Sequence, residues 1–191
     1  YENQKQLYEI AQLEDCDEAS QLAETILMNM RKQIDVQVGA NYIDNVLFED
    51  SLVRWNISSP ITYSISADSG VPIENIEAVK EAIFDWQAAT NGIIKFKDTP
   101  GNKNANIVVN FMNDISLKDT YEPNRVGKVV PSINNEKLEK MNVYLKQNNP
   151  KGQSYSSDDI YTVALHEIGH ALGLGGHSAD ANDVMYYTGD Y

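Results

Sequence analysis

From about residue 53 onward, the spacing of apolar positions predicts short strands and two long helices. PITYSIS alternates and is rich in β-formers, so 61–66 reads as a strand. Pro72 then opens a helix whose stripe is Ile76, Val79, Ile83, Trp86 and Gln87, and Asn91-Gly92 ends it. Residues 93–96, 106–112 (NIVVNFM) and 141–145 (within KMNVYLK) read as further strands. Residues 126–133 form a weaker one, in which Pro131, lacking an N–H, suits an edge. A second helix begins at Ser156. Asp159 completes a capping box there, and Asp158 and Asp159 place negative charge at the positive end of the helix dipole. Its buried side is Ile160, Val163, Ala164, Ile168 and Leu172. The order of strand, long helix, four strands and helix predicts an α+β fold with a sheet packed against two helices.

The first fifty residues follow another pattern. Residues 1–34 read as two helices, the second striped by Ala19, Leu22, Ala23, Ile26, Leu27, Met30 and Ile34. Residues 35–50 are a mixed connector. The chain thus divides into an N-terminal helical segment, 1–50, and a domain, 51–191.

Composition narrows the function. The chain has 191 residues, a net charge of −13 and a pI near 4.5. Such acidity disfavours nucleic acid and anionic membrane surfaces as partners. No apolar run approaches the ~20 residues needed to span a bilayer. The chain begins at Tyr1 without an initiator Met or a signal-peptide pattern, as expected of a processed product. Cys16 is the single cysteine, so no intramolecular disulfide forms.

All three histidines fall in one window, HEIGHALGLGGH. His166 and His170 are one helical turn apart on one face, a spacing that lets two imidazoles reach one ion at ~2.0–2.1 Å each. Glu167 lies angularly between them, placed to reach a metal-bound water without being a ligand. Gly173 can take the left-handed conformation that ends a helix, reversing the chain to deliver His177 as a third ligand. Three protein nitrogens leave a fourth position open, the arrangement of catalytic rather than structural zinc. Asp180 and Asp183 are the fallback ligands.

The stretch resembles the metzincin signature HExxHxxGxxH, with Met185 in DVMYY as the Met-turn, and the matrixins within that clan in particular. RWNISSPITYSIS and AIFDWQAATNGIIKF resemble the opening strand, long helix and second strand of that fold; the likeness covers about 53–187. One departure stands out. The third histidine usually follows the glycine by three residues, a position held here by Gly176, with His177 one residue later.

The resemblance implies a mostly parallel, twisted five-stranded sheet with an antiparallel edge strand, packed on two long helices. It implies a zinc endopeptidase with one catalytic Zn2+ held by His166, His170 and His177, and Glu167 as general base. Substrates would be proteins or peptides, lying extended along 126–133. The setting would be secreted or cell-surface and the protein a monomer. Calcium bound by carboxylates and carbonyls is compatible with the family. Vertebrate matrixins also carry a second zinc bound largely by histidines; with every histidine spent, no such site is expected. Tyr187 reads as a packed aromatic rather than an oxyanion partner. The likeness does not extend to residues 1–50, which read as a pro-segment, a helical packing module or the end of a longer upstream helical region. Cys16, flanked by acids in LEDCDEAS, reads as a buried cysteine rather than a zinc-capping thiolate. The alternatives to an active peptidase are a latent zymogen and a zinc-binding module that docks peptides without cleaving them. Asn56-Ile57-Ser58 is a glycosylation sequon.

Overall fold

A computed structural model describes residues 53–68, 70–112, 126–134, 137–149 and 151–186. The helices expected within 1–34, the boundary near residue 50, Cys16 and Tyr187 lie outside the described residues. The elements are β1 (Ile61–Ser66), α1 (Ile73–Ala89), β2 (Phe96–Asp98), β3 (Ile107–Met112), β4 (Gly127–Asn134), β5 (Lys137–Lys146) and α2 (Ser157–Ala171).

The strands form one sheet in the order β2-β1-β3-β5-β4. The pairs β1–β2, β1–β3 and β3–β5 are parallel, and β4 runs antiparallel along β5 at one edge. The register aligns Tyr63 with Ile107 and Ile107 with Met141, so alternate residues share one face. Ile61, Tyr63, Ile107, Val109, Phe111, Met141, Val143 and Leu145 occupy the core cluster with Val79, Ala82 and Ile83 of α1 and Ile160, Ala164 and Ile168 of α2. On β5, Leu138 and Met141 are both buried although three residues apart. A register shift between Ser132 and Ile133 on β4 accompanies that break in alternation.

The predicted second strand requires correction. Pairing begins at Phe96, opposite Ile61, and not at Ile93. Local bonds take up the earlier backbone: Gly92 N–H donates to Gln87 O, Ile93 N–H to Thr90 O and Ile94 N–H to Thr90 Oγ1. Asn91 and Gly92 take positive φ, 50° and 71°, which turns the chain out of α1. Ile93 is left 67% exposed. Elsewhere the expected strands form within a few residues of their predicted limits, and Pro131 does sit on an edge strand.

The two helices are joined by side-chain bonds as well as by packing. Trp86 Nε1 on α1 donates to Leu165 O on α2 at 2.8 Å, and Tyr161 OH donates to Asp85 Oδ2 at 2.6 Å. The capping box opens α2 as predicted: Asp159 N–H donates to Ser156 Oγ, and Ser156 N–H donates to Asp159 Oδ2. At the other end, the indole of Trp55 donates to Ala171 O at 2.8 Å, satisfying a carbonyl the helix cannot. Among the described residues, no helix is long and apolar enough to cross a membrane.

Candidate metal centre

The site grows from the last turns of α2. His166 and His170 project from one face, and Glu167, between them, is buried at 7% exposure. The helix ends in a Schellman motif. Leu174 N–H donates to Gly169 O and Gly173 N–H to His170 O, both orphan carbonyls of the final turn. Gly173 adopts φ 109°, which a side chain would strain, and a β-carbon there would stand 2.8 Å from Val53 O. Gly175 and Gly176 then lead to His177.

The three rings meet. Centroids lie 4.7 Å apart for His166–His170, 4.9 Å for His170–His177 and 5.2 Å for His166–His177. Each histidine offers one nitrogen within 4.8 Å of the others, and all three residues are only partly buried. The additional residue before His177 therefore does not keep its ring from the group. Asp180 and Asp183 are engaged elsewhere. Asp180 Oδ1 accepts from Asn182 N–H, and Asp183 Oδ1 accepts from Met185 N–H, so both carboxylates shape the turn that follows.

Two backbone carbonyls orient the rings. His166 Nδ1 lies 2.8 Å from Val184 O, and His170 Nδ1 lies 2.6 Å from Leu174 O. A carbonyl can only accept, so each Nδ1 carries a proton, and in the neutral ring Nε2 is then the nitrogen with the lone pair. This is the tautomer that a metal requires, fixed by second partners of the kind that raise ligand basicity. Two imidazoles oriented in this way beside a third ring suit a borderline divalent ion such as zinc.

Met185 forms the floor. It is fully buried, and its carbonyl accepts from Ser178 N–H at 2.7 Å, closing the turn that carries Val184. The thioether lies against Gly169, where an added β-carbon would also stand 2.9 Å from Trp86 Cζ2. Gly127, the first residue of β4, meets the site from the sheet side. A β-carbon there would come within 2.6 Å of Glu167 Cγ and 2.7 Å of its Cδ. The carboxylate of Glu167 thus rests on the bare backbone of the edge strand.

Sequence reasoning placed the three histidines, Glu167, Gly173 and Met185. It missed Gly127, although a glycine inside a strand is a sign of close approach. It also missed the carbonyls of Val184 and Leu174, which no residue type could have revealed, and the indole bond from Trp55 to the helix end.

The matrixin family model matches residues 54–191, so the chain belongs to the matrixin family, within the peptidases. It is also 27% identical over 168 residues to metalloendoproteinase 1 of Glycine max, a match covering 84% of this chain and 52% of that protein. The chain spans about half the length of that relative.

Proposed function

We propose that this chain is a zinc-dependent endopeptidase in which His166, His170 and His177 hold the metal and Glu167 is the general base. The observation that carries the reading is the convergence of the three imidazoles, two with Nδ1 committed to a carbonyl, beside a buried carboxylate on the same helix. Zinc, when bound, supplies Lewis acidity, lowering the pKa of a coordinated water toward ~7 and polarising the scissile carbonyl.

The remaining steps belong to the protein. Glu167 accepts a proton from the attacking water and delivers it to the departing amine, so that one carboxylate serves as base and then as acid. Its burial against Gly127 excludes bulk water and restricts its motion, which favours transfer along one path. Met185 and Gly169 support the helix face from below, and the carbonyls of Val184 and Leu174 keep the rings from rotating.

Substrates are extended polypeptides. β4 is the edge strand and borders Glu167, so a peptide added to its free side brings a scissile bond to the site by main-chain pairing. The family points to a secreted or cell-surface setting. Treating the protein with a strong zinc chelator tests the metal dependence. Cleavage of a fluorogenic peptide mixture should disappear and return on adding zinc; cleavage that persists in a preparation shown to be metal-free would sink the reading.

A further inference from the structure

The geometry points to Pro131 as the residue that ends main-chain recognition of substrate, confining it on this side of the site to 127–131. The inference rests on the reading of β4 as the substrate-pairing edge.

Bonding parity along β4 carries it. Lys146 N–H donates to Val126 O at 2.8 Å, so Val126 and Lys146 form a hydrogen-bonded pair. In an antiparallel ladder such pairs recur at every second residue. The register continues unbroken through Lys128↔Tyr144 and Val130↔Asn142, so those residues turn their N–H and C=O groups toward β5. Gly127, Val129 and Pro131 turn theirs the other way, to the side of β4 on which no strand pairs among the described residues.

That open side is not uniform. Gly127 and Val129 each offer a donor and an acceptor. Pro131 offers an acceptor alone. Immediately past it, β5 carries an extra residue, Glu139, between Lys140 opposite Ser132 and Leu138 opposite Ile133, a bulge that bends the ladder and increases its twist. Because Gly127 lies against Glu167, the count runs outward from the reacting carboxylate.

A guest strand pairing antiparallel, the stronger mode per residue, runs toward Glu167 in its own N-to-C direction. Its residues opposite Gly127 and Val129 are satisfied twice each. The residue opposite Pro131 can donate its N–H to Pro131 O, and its carbonyl finds no donor. Main-chain affinity on the N-terminal side of the scissile bond therefore stops there. The same proline and register shift also blunt the edge against pairing with other chains. That protective role alone makes no prediction about peptide length.

The test is a nested series of fluorogenic peptides, lengthened one residue at a time at the N-terminus, cleaved by the zinc-loaded full chain and by Pro131→Ala. With the wild type, kcat/KM should climb until the peptide reaches the residue opposite Pro131 and then level off. Pro131→Ala restores a donor. It should lower KM roughly three- to tenfold, the worth of one hydrogen bond, for peptides that reach that residue, a gain that shorter peptides do not share. A wild-type series that keeps climbing overturns the inference, as does a Pro131→Ala effect that is absent or equal at all lengths. The wild-type series stands even if the variant folds poorly. If the zinc-loaded wild type cleaves no peptide of any length, the peptidase reading itself fails, a result distinct from a length series without a plateau.

Discussion

Met185 packs against the α-carbon of Gly169, one residue before His170, with no side chain between thioether and helix. A β-carbon at position 169 would stand 3.3 Å from Met185 Cε, closer still to its sulfur, and 2.9 Å from Trp86 Cζ2. The helix surrenders propensity at a glycine so that a fully buried methionine can pack directly on its backbone, in the turn that carries His170.

Gly169→Ala should accordingly destabilise the protein. Alanine gains up to about 1 kcal/mol in helix propensity, while forcing a methyl group into packed Met185 and Trp86 costs about 1–3 kcal/mol. With the packing cost prevailing, Tm should fall by roughly 2–6 °C, and zinc should dissociate faster as the floor shifts. Differential scanning calorimetry of the zinc-loaded forms decides it; a rise in Tm would mean that the cavity has room to spare.

Gly127→Val should act on chemistry more than on metal binding. Its β-carbon would occupy the place of the Glu167 carboxylate, which swings aside because it is the free end of a flexible side chain. Loss of a positioned general base costs about 10²–10⁴ in rate, so kcat should fall by at least about 10² with zinc content unchanged. Steady-state kinetics together with metal analysis check this, and a kcat within a factor of two of wild type would remove Gly127 from the account.

Tyr161 gives a pH dependence with a defined sign. Its hydroxyl donates to Asp85 Oδ2 at 2.6 Å, and that bond, helped by desolvation and the Asp85 charge, pushes its pKa from 10.0 up to about 12. A raised pKa means that the native state holds the proton more tightly. The contribution is therefore complete below pH 10 and lost as pH rises toward 12. Tyr161→Phe should melt below wild type at pH 9, and the gap should close by pH 12. Thermal melts of both proteins across that range make the comparison, and a constant gap would show that the bond does not couple to titration.

Much of this arrangement was legible before any coordinates. Helical spacing alone put His166 and His170 on one face, and the Ser156–Asp159 box fixed where α2 starts. The fit between Gly173 and a left-handed turn was readable because only glycine takes that conformation cheaply. Strand 93–96 misled because Ile93 and Ile94 have the composition of a strand, while Thr90 accepts from their own N–H groups and Gln87 O from that of Gly92. The orienting carbonyls of Val184 and Leu174 were illegible for a different reason: every residue has a carbonyl, and only the chain path decides where it points. The contact of Gly127 with Glu167 was equally hidden, since it joins positions brought together by the sheet and not by sequence.

The central claim is that three histidines hold one zinc and that Glu167 performs the proton transfers without ligating it. The most direct test compares wild type with Glu167→Ala, measuring bound zinc per chain and cleavage of a quenched fluorescent peptide library on the same samples. The account predicts one zinc in each protein and cleavage by the wild type alone. A wild type that binds no zinc, or a Glu167→Ala protein that cleaves at the wild-type rate, would contradict it.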